Sequence, residues 1–250
     1  AAARSQEKVA RSAYAGMAGM VALSSSALGI PPSAGMRKST RATIAGSGAR
    51  EKSASIASAS SPRPGPARTT PLPARLVSDL RTDHAGETGA VMIYRGILAT
   101  TRDADVRSFS KGHLATEAEH LAAIEPWLAP RQRSRLLPLW RGAGWLTGAL
   151  PALGGPRAVY ATIEAVETFV DHHYTEQIEL IDGLDSGRTQ PLLQALRALL
   201  HLCRADEIGH RDEAAALFDR HASPSSLALR LWVWAVGAGS RVAVKIARVV

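Results

Sequence analysis

From Pro71 to the C-terminus the apolar residues recur at intervals of three and four, with few alternating β-branched runs and no hairpin turn signal. That spacing belongs to helices that bury one face. It predicts helices over about 76–100, 104–128, 137–153, 156–182, 189–219 and 225–248. Breakers set the bounds. Pro126 and Pro130 close the second helix, Gly154-Gly155-Pro156 part the third from the fourth, Gly183 and Gly187 mark a turn, and Ser223-Pro224 opens the last. The expected fold is an all-α bundle.

Polar positions inside this pattern carry the chemistry. Glu87 is followed thirty residues later by Glu117-Ala118-Glu119-His120, and Glu167 forty residues later by Glu207-Ile208-Gly209-His210. Positions i and i+3 share a helix face, so each Glu-x-x-His unit aims a carboxylate and an imidazole at one point. A lone unit of this kind is a weak signal, because Glu and His are common on solvated faces. Two ordered Glu … Glu-x-x-His units on four helices are far harder to obtain by accident, and they match the ligand set of a carboxylate-bridged di-iron or di-manganese centre in a four-helix bundle. Four carboxylates about 6 Å apart would repel by roughly 3 kcal/mol per pair at an effective dielectric near 20, and two divalent cations cancel that charge. Carboxylate and imidazole without thiolate suits iron or manganese rather than structural zinc. The two halves form a pseudo-repeat of helical hairpins.

Charge changes the picture only at the N-terminus. Residues 1–70 hold ten Lys or Arg against Glu7 and Glu51, so they carry the whole formal net charge of +8, and the basic balance says nothing about nucleic-acid binding by the helical part. This stretch is rich in Ala, Ser, Gly and Arg and ends in Ser61-Pro62-Arg63-Pro64-Gly65-Pro66; disorder is expected. Residues 1–74 read as a leader and 75–250 as the folded domain. Three readings of the leader stay open: a mitochondrial transit peptide, a signal peptide with a weak apolar region at 13–23, or an extension or misplaced start. The single Cys203 argues against an oxidising compartment without establishing a reducing one, and lies on the face of Glu207 as a core or pocket residue.

Residues near the motifs are secondary candidates. Tyr94 follows Glu87 by seven, and Tyr174 follows Glu167 by seven. Either could border the site, with a plain core aromatic as the alternative; Tyr174 is the candidate catalytic residue. Asp206, four before His210, is a candidate acceptor for a ligand imidazole's outer N–H. His172 and His173 fall off the face of Glu167 and read as solvated or structural. Two apolar segments suggest membrane contact without spanning. One is 136–155 with Trp140 and Trp145; the other is the last helix, with Trp232, Trp234 and a basic stripe that includes Arg230, Arg241, Lys245 and Arg248. The alternative is packing on the bundle or on a partner subunit.

These stretches together resemble a known family. Asp83-His84-Ala85-Gly86-Glu87-Thr88-Gly89-Ala90 with Ile93-Tyr94, Glu117-Ala118-Glu119-His120, Leu137-Pro138-Leu139-Trp140, Ala165-Val166-Glu167 leading to His172-His173-Tyr174, and Asp206-Glu207-Ile208-Gly209-His210-Arg211-Asp212 are similar, in order, to the demethoxyubiquinone hydroxylases. The resemblance covers about residues 75–250. Departures are Thr82 before the Asp-His pair, Thr168 after Glu167 and Gly209 where another acid is common; none removes a ligand. The resemblance implies a ferritin-like four-helix bundle with additional apolar interfacial helices, and a di-iron monooxygenase that hydroxylates a polyprenylated demethoxy benzoquinone or benzoquinol ring in ubiquinone biosynthesis. By the same similarity Glu87, Glu117, His120, Glu167, Glu207 and His210 would hold two iron ions per chain, with Glu117 and Glu207 bridging. O2 is the implied co-substrate and an external reductant, NADH among the candidates, supplies electrons. Expected partners are a polyprenyl quinone, a membrane surface, a lipid-presenting accessory protein, a quinone-biosynthesis complex and further protomers in a homo- or hetero-oligomer, without nucleic acid. The expected location is peripheral, on the cytoplasmic face of a bacterial membrane or the matrix face of the mitochondrial inner membrane. The rival reading is a ferritin-like iron store or peroxidase; a metal-free lipid-binding subunit would have no need of six spaced ligands.

Overall fold

The computed structural model describes residues 71–221 and 226–250; residues 1–70 of the leader expected over 1–74, and the Ser223-Pro224 breaker, lie outside the described residues. Among those described, the chain forms six α-helices and no strand: α1 (Ala74–Thr100), α2 (Ala104–Ile124), α3 (Leu137–Leu153), α4 (Pro156–Leu184), α5 (Pro191–Arg220) and α6 (Leu227–Ala247). Local chemistry fixes the ends. Asp103 caps α2 by accepting from the Val106 N–H at 2.9 Å. Pro156 and Pro191 open α4 and α5 where a missing N–H costs nothing, and Gly155 turns into α4 at φ 89°, a conformation that a side chain would strain.

Two of the boundaries that differ from the sequence expectation have a local cause. α2 stops at Ile124 rather than 128, because the chain tightens into a 3₁₀ turn over Glu125–Trp127 at Pro126. α5 starts at Pro191 rather than 189, because the buried Asp185 carboxylate accepts the N–H groups of Thr189 and Gln190 and holds them in a turn.

The helices α1, α2, α4 and α5 form the bundle, and the two remaining helices flank it. α3 lies along α1 and runs parallel to it: Gly144 meets the Gly89 backbone, Gly148 meets Ile93, and Gly96 meets Trp145. A Cβ at any of these three glycines would collide with a backbone carbonyl of the neighbouring helix, so the two backbones touch as small-residue helices do. α6 runs parallel to α4, with Trp232 bonded to Thr162 at one end and Arg248 within 3.9 Å of Glu176 at the other. Each half of the pseudo-repeat therefore has three helices, a hairpin plus an outer helix parallel to its first member. The sequence motifs had shown only the hairpins.

The core is split. One apolar cluster gathers Leu76, Leu80, Ile124, Ile181, Leu196 and Leu200 at one end of the bundle, and another gathers Ile97, Phe109, Val159, Tyr160, Ile163 and Ala214 at the other. Buried polar side chains occupy the layer between them.

Candidate metal centre

That middle layer is where both motifs meet. Glu87, Glu117, His120, Glu167, Glu207 and His210 are all buried, and their ligand atoms fall into two groups, each within 4.8 Å: Glu87, Glu117, His120 and Glu207, and Glu117, Glu167, Glu207 and His210. Glu117 and Glu207 belong to both groups. Both imidazoles turn Nδ1 inward, His120 to 3.0 Å from Glu207 Oε1 and His210 to 3.1 Å from Glu117 Oε1 and 3.3 Å from Glu207 Oε2. Yet His120 Nδ1, His210 Nδ1, Glu117 Oε1 and Glu207 Oε2 are buried without a hydrogen-bond partner. Lone pairs that converge in a buried layer without donors suit a cation and are costly otherwise. The donor set, four carboxylates and two imidazoles with no thiolate, fits iron or manganese.

By themselves the protein groups share protons. Burial, then Glu117, pushes the Glu87 carboxyl well above its usual range; burial, then Glu207, does the same for Glu167. Burial also raises Glu207, but His120 and His210 outweigh it and bring that carboxyl down to about 2. Burial lowers His210, and Glu117 with Glu207 outweighs it and lifts the imidazole to about 9. A cation entering here displaces protons from the raised carboxyls.

The surroundings repeat across the pseudo-symmetry. Tyr94 donates to Glu167 Oε1 at 3.2 Å, and Tyr174 donates to Glu87 Oε1. Each tyrosine therefore serves the lone Glu of the other half. Burial, then the carboxylate each one faces, pushes both phenols well above their usual range, so both keep their protons and act as donors. Tyr94, for which a plain core aromatic was the alternative, is thus a partner of the site as well as Tyr174, and its spacing of seven residues from Glu87 was the available signal. Asp206 accepts from an imidazole, but it is His120 across the bundle at 3.2 Å, not His210 one turn on. Cys203 sits in the apolar cluster beneath the site.

A cavity of about 400 Å³ opens from the carboxylates toward the flanking helices. Glu87, Glu117, Glu167 and Glu207 lie at its inner end, with Tyr174 beside them. Its walls are apolar: Gly89 and Ile93 on α1, Trp140 and Gly144 on α3, Val166 and Phe169 on α4. On α6 the small residues Ala235, Gly239, Ala243 and Ala247 recur every four positions along it, and their short side chains leave the space. At the rim, buried Asp83 accepts from His173 at 3.0 Å and Gln177 at 2.7 Å. His173 therefore lines the cavity, whereas His172 is exposed. In the sequence Asp83 stood out only as part of the family string, without a role of its own, and Gln177 did not stand out; the further signal for Asp83 was its place one helical turn before Glu87.

The membrane candidates divide. Trp145 and Trp234 are exposed, 38% and 68%, among exposed Leu139, Leu146, Leu153, Leu231 and Val242 on α3 and α6. Arg241 and Lys245 are exposed as well. Trp140 and Trp232 instead line the cavity and bond to Ser134 and Thr162. Arg248 is a correction: it is not an open surface cation, because its guanidinium pairs with buried Asp79 at 3.1 Å and its carbonyl accepts from Ser78 and Arg81. α6 is long and apolar enough to cross a membrane by length and composition, although its small-residue face lines the cavity.

The comparisons point one way. The family described as ubiquinone biosynthesis protein COQ7 matches residues 74–247. A 3-demethoxyubiquinol 3-hydroxylase of Rhodospirillum rubrum is 40% identical over 147 residues, which is 57% of this chain and 65% of that protein. The NADPH-dependent 3-demethoxyubiquinone 3-hydroxylase, mitochondrial, of Rattus norvegicus is 36% identical over 135 residues, 53% of this chain and 60% of that protein. Its Caenorhabditis elegans counterpart is 31% identical over 170 residues, 67% of this chain and 87% of that protein. The chain thus spans under two thirds of the length of the first two relatives.

Proposed function

We propose, on the premise that the chain belongs to the ubiquinone biosynthesis protein COQ7 family, that it is an O2-dependent monooxygenase that hydroxylates the ring of a polyprenylated demethoxyubiquinone or demethoxyubiquinol. The observation that carries this reading is the apolar cavity whose inner end is made of the four carboxylates of the ligand set. A storage site needs a path for ions; this one offers space for a ring and the start of an apolar tail.

The six ligands would hold two iron ions, and Glu117 and Glu207, the two residues common to both groups, would serve both. Iron supplies the reduction of O2 and the delivery of one oxygen atom, a reaction that spin-triplet O2 undergoes slowly with an organic ring on its own. The electrons come from an external reductant, for which we propose a reduced nicotinamide such as NADH.

The chain's own groups do the rest. Tyr94 and Tyr174 each hold one oxygen of Glu167 and Glu87, which orients the other oxygen toward the centre. Tyr174, which lines the cavity, is placed to keep a proton beside the ring. Asp83 fixes His173 and Gln177 at the rim. α3 and α6 close the flanks and exclude water. Their exposed apolar residues, with Arg241 and Lys245, support a peripheral position on an anionic membrane in which a polyprenyl substrate dissolves.

The test is single-turnover reaction of the iron-loaded, reduced protein with 18O2 and a demethoxy quinone. The expected result is one labelled oxygen in the product and iron saturation at two ions per chain. Label confined to water, with iron loading far beyond two, would replace this reading by the storage one.

A further inference from the structure

The two halves of the pseudo-repeat differ in the groups that stand behind their two imidazoles. Both ligand imidazoles turn Nδ1 inward, which leaves Nε2 facing out. His120 Nε2 lies 3.2 Å from Asp206 Oδ2 on α5. His210 Nε2 has no acceptor among the described residues. Its ring meets His113 edge to face, with centroids 4.0 Å apart at 85°, and His113 directs its own Nε2 to Glu213 at 3.0 Å. The register equivalent of Asp206, immediately before the Glu and four before the His of its unit, is Thr116 on α2. A hydroxyl stands in one half where the other has a carboxylate.

A carboxylate on the outer N–H fixes the tautomer that leaves Nδ1 free to ligate, holds the ring and makes the ligand more basic. We propose that the two metal positions are inequivalent: the one formed by Glu87, Glu117, His120 and Glu207 fills first and holds its ion more tightly than the one formed by Glu117, Glu167, Glu207 and His210, and Asp206 is the positioning residue that sets the order. This rests on the two-metal reading above.

The second imidazole packs against His113 and has no acceptor at its outer nitrogen among the described residues, so no carboxylate on that side fixes its tautomer. Glu117 and Glu207 are common to both positions and cannot distinguish them. Tyr94 and Tyr174 are matched across the halves and do not distinguish them; His113 against His210 has Cys203 as its register equivalent, but neither offers a carboxylate to an imidazole's outer nitrogen.

The experiment is anaerobic titration of the metal-stripped full chain with Fe2+, and with Co2+ for its visible spectrum, each followed by calorimetry. Two binding steps are expected, separated by about tenfold or more. His120→Ala should abolish the tighter step and His210→Ala should preserve it. Asp206→Ala should weaken the tighter step by about 10- to 100-fold and merge the two, and Asp206→Asn, which keeps an acceptor oxygen, should restore part of the separation. Thr116→Asp should tighten the weaker step and leave the other unchanged. Asp206 is 31% exposed, so helix content by circular dichroism should not change in its variants. Two ions of equal affinity in the unaltered chain, or a tighter step that survives His120→Ala, would overturn the inference alone. Failure to bind two ions would overturn the two-metal reading and the order with it.

Discussion

At the scale of single residues, a three-residue offset on a helix separates a ligand from a surface group. Glu117 and His120 are buried and converge, whereas Glu119 between them faces outward and is exposed. Replacement of Glu117 or Glu207 by Ala should remove most bound metal, because each residue belongs to both ligand groups, while Glu119→Ala should leave metal content unchanged; elemental analysis of the purified variants decides it. The pH response follows from the same groups. Glu87 and Glu167 sit well above the ordinary 4.5 of a Glu carboxyl in the folded chain. Their stabilisation is therefore complete below that value and is lost as pH rises through the raised values. His210, at about 9 against an ordinary 6.5, acts in the same direction: its contribution is complete below 6.5 and lost as pH rises through 9. Glu207 is opposite, present above 4.5 and lost only as pH falls through about 2. Metal-stripped protein should then lose urea stability as pH rises from about 4.5 through about 9, and metal loading should flatten the profile by exchanging those protons for cations.

At the scale of elements, the α1–α3 contact is set by what is absent from side chains. Gly144 and Gly148 admit the α1 backbone, and any larger residue must push the helices apart. Gly148→Val should cost about 1–3 kcal/mol in urea unfolding, the usual penalty of overpacking. It should also widen the cavity wall that Gly144 and Trp140 contribute, which substrate binding would report separately from stability. Sequence periodicity located α3 and α6 to within a residue or two but not their partners, because an apolar helix has the same pattern whether it packs on a bundle, on lipid or on another chain.

At the scale of the molecule, exposed apolar residues of α3 and α6 flank the cavity that leads to the carboxylates, so the membrane contact proposed above and access to the site would share one surface. Arg241 and Lys245 contribute the charge to that surface. Neutralising both to Gln should reduce co-sedimentation with anionic vesicles, by about 1 kcal/mol per charge, and make it less sensitive to salt. Arg248→Gln should act differently. It strips a partner from buried Asp79, so a loss of fold stability of about 1–3 kcal/mol is expected, and vesicle binding per folded molecule should hold.

The sequence alone determined the helices and the six candidate ligand positions, since both depend on local rules: the 3.6-residue period, the breakers and the i, i+3 geometry of Glu-x-x-His. The tertiary structure decided what depends on the pairing of distant segments. It sent Asp206 to His120 rather than to His210, crossed Tyr94 and Tyr174 to the carboxylates of opposite halves, and drew Arg248 out of the basic stripe onto Asp79. It also extended each hairpin to three helices and left a cavity where small residues on α6 face α1 and α4. These are contacts across 70 or more residues of chain. A one-dimensional pattern records which face a side chain occupies, but not which helix that face will meet.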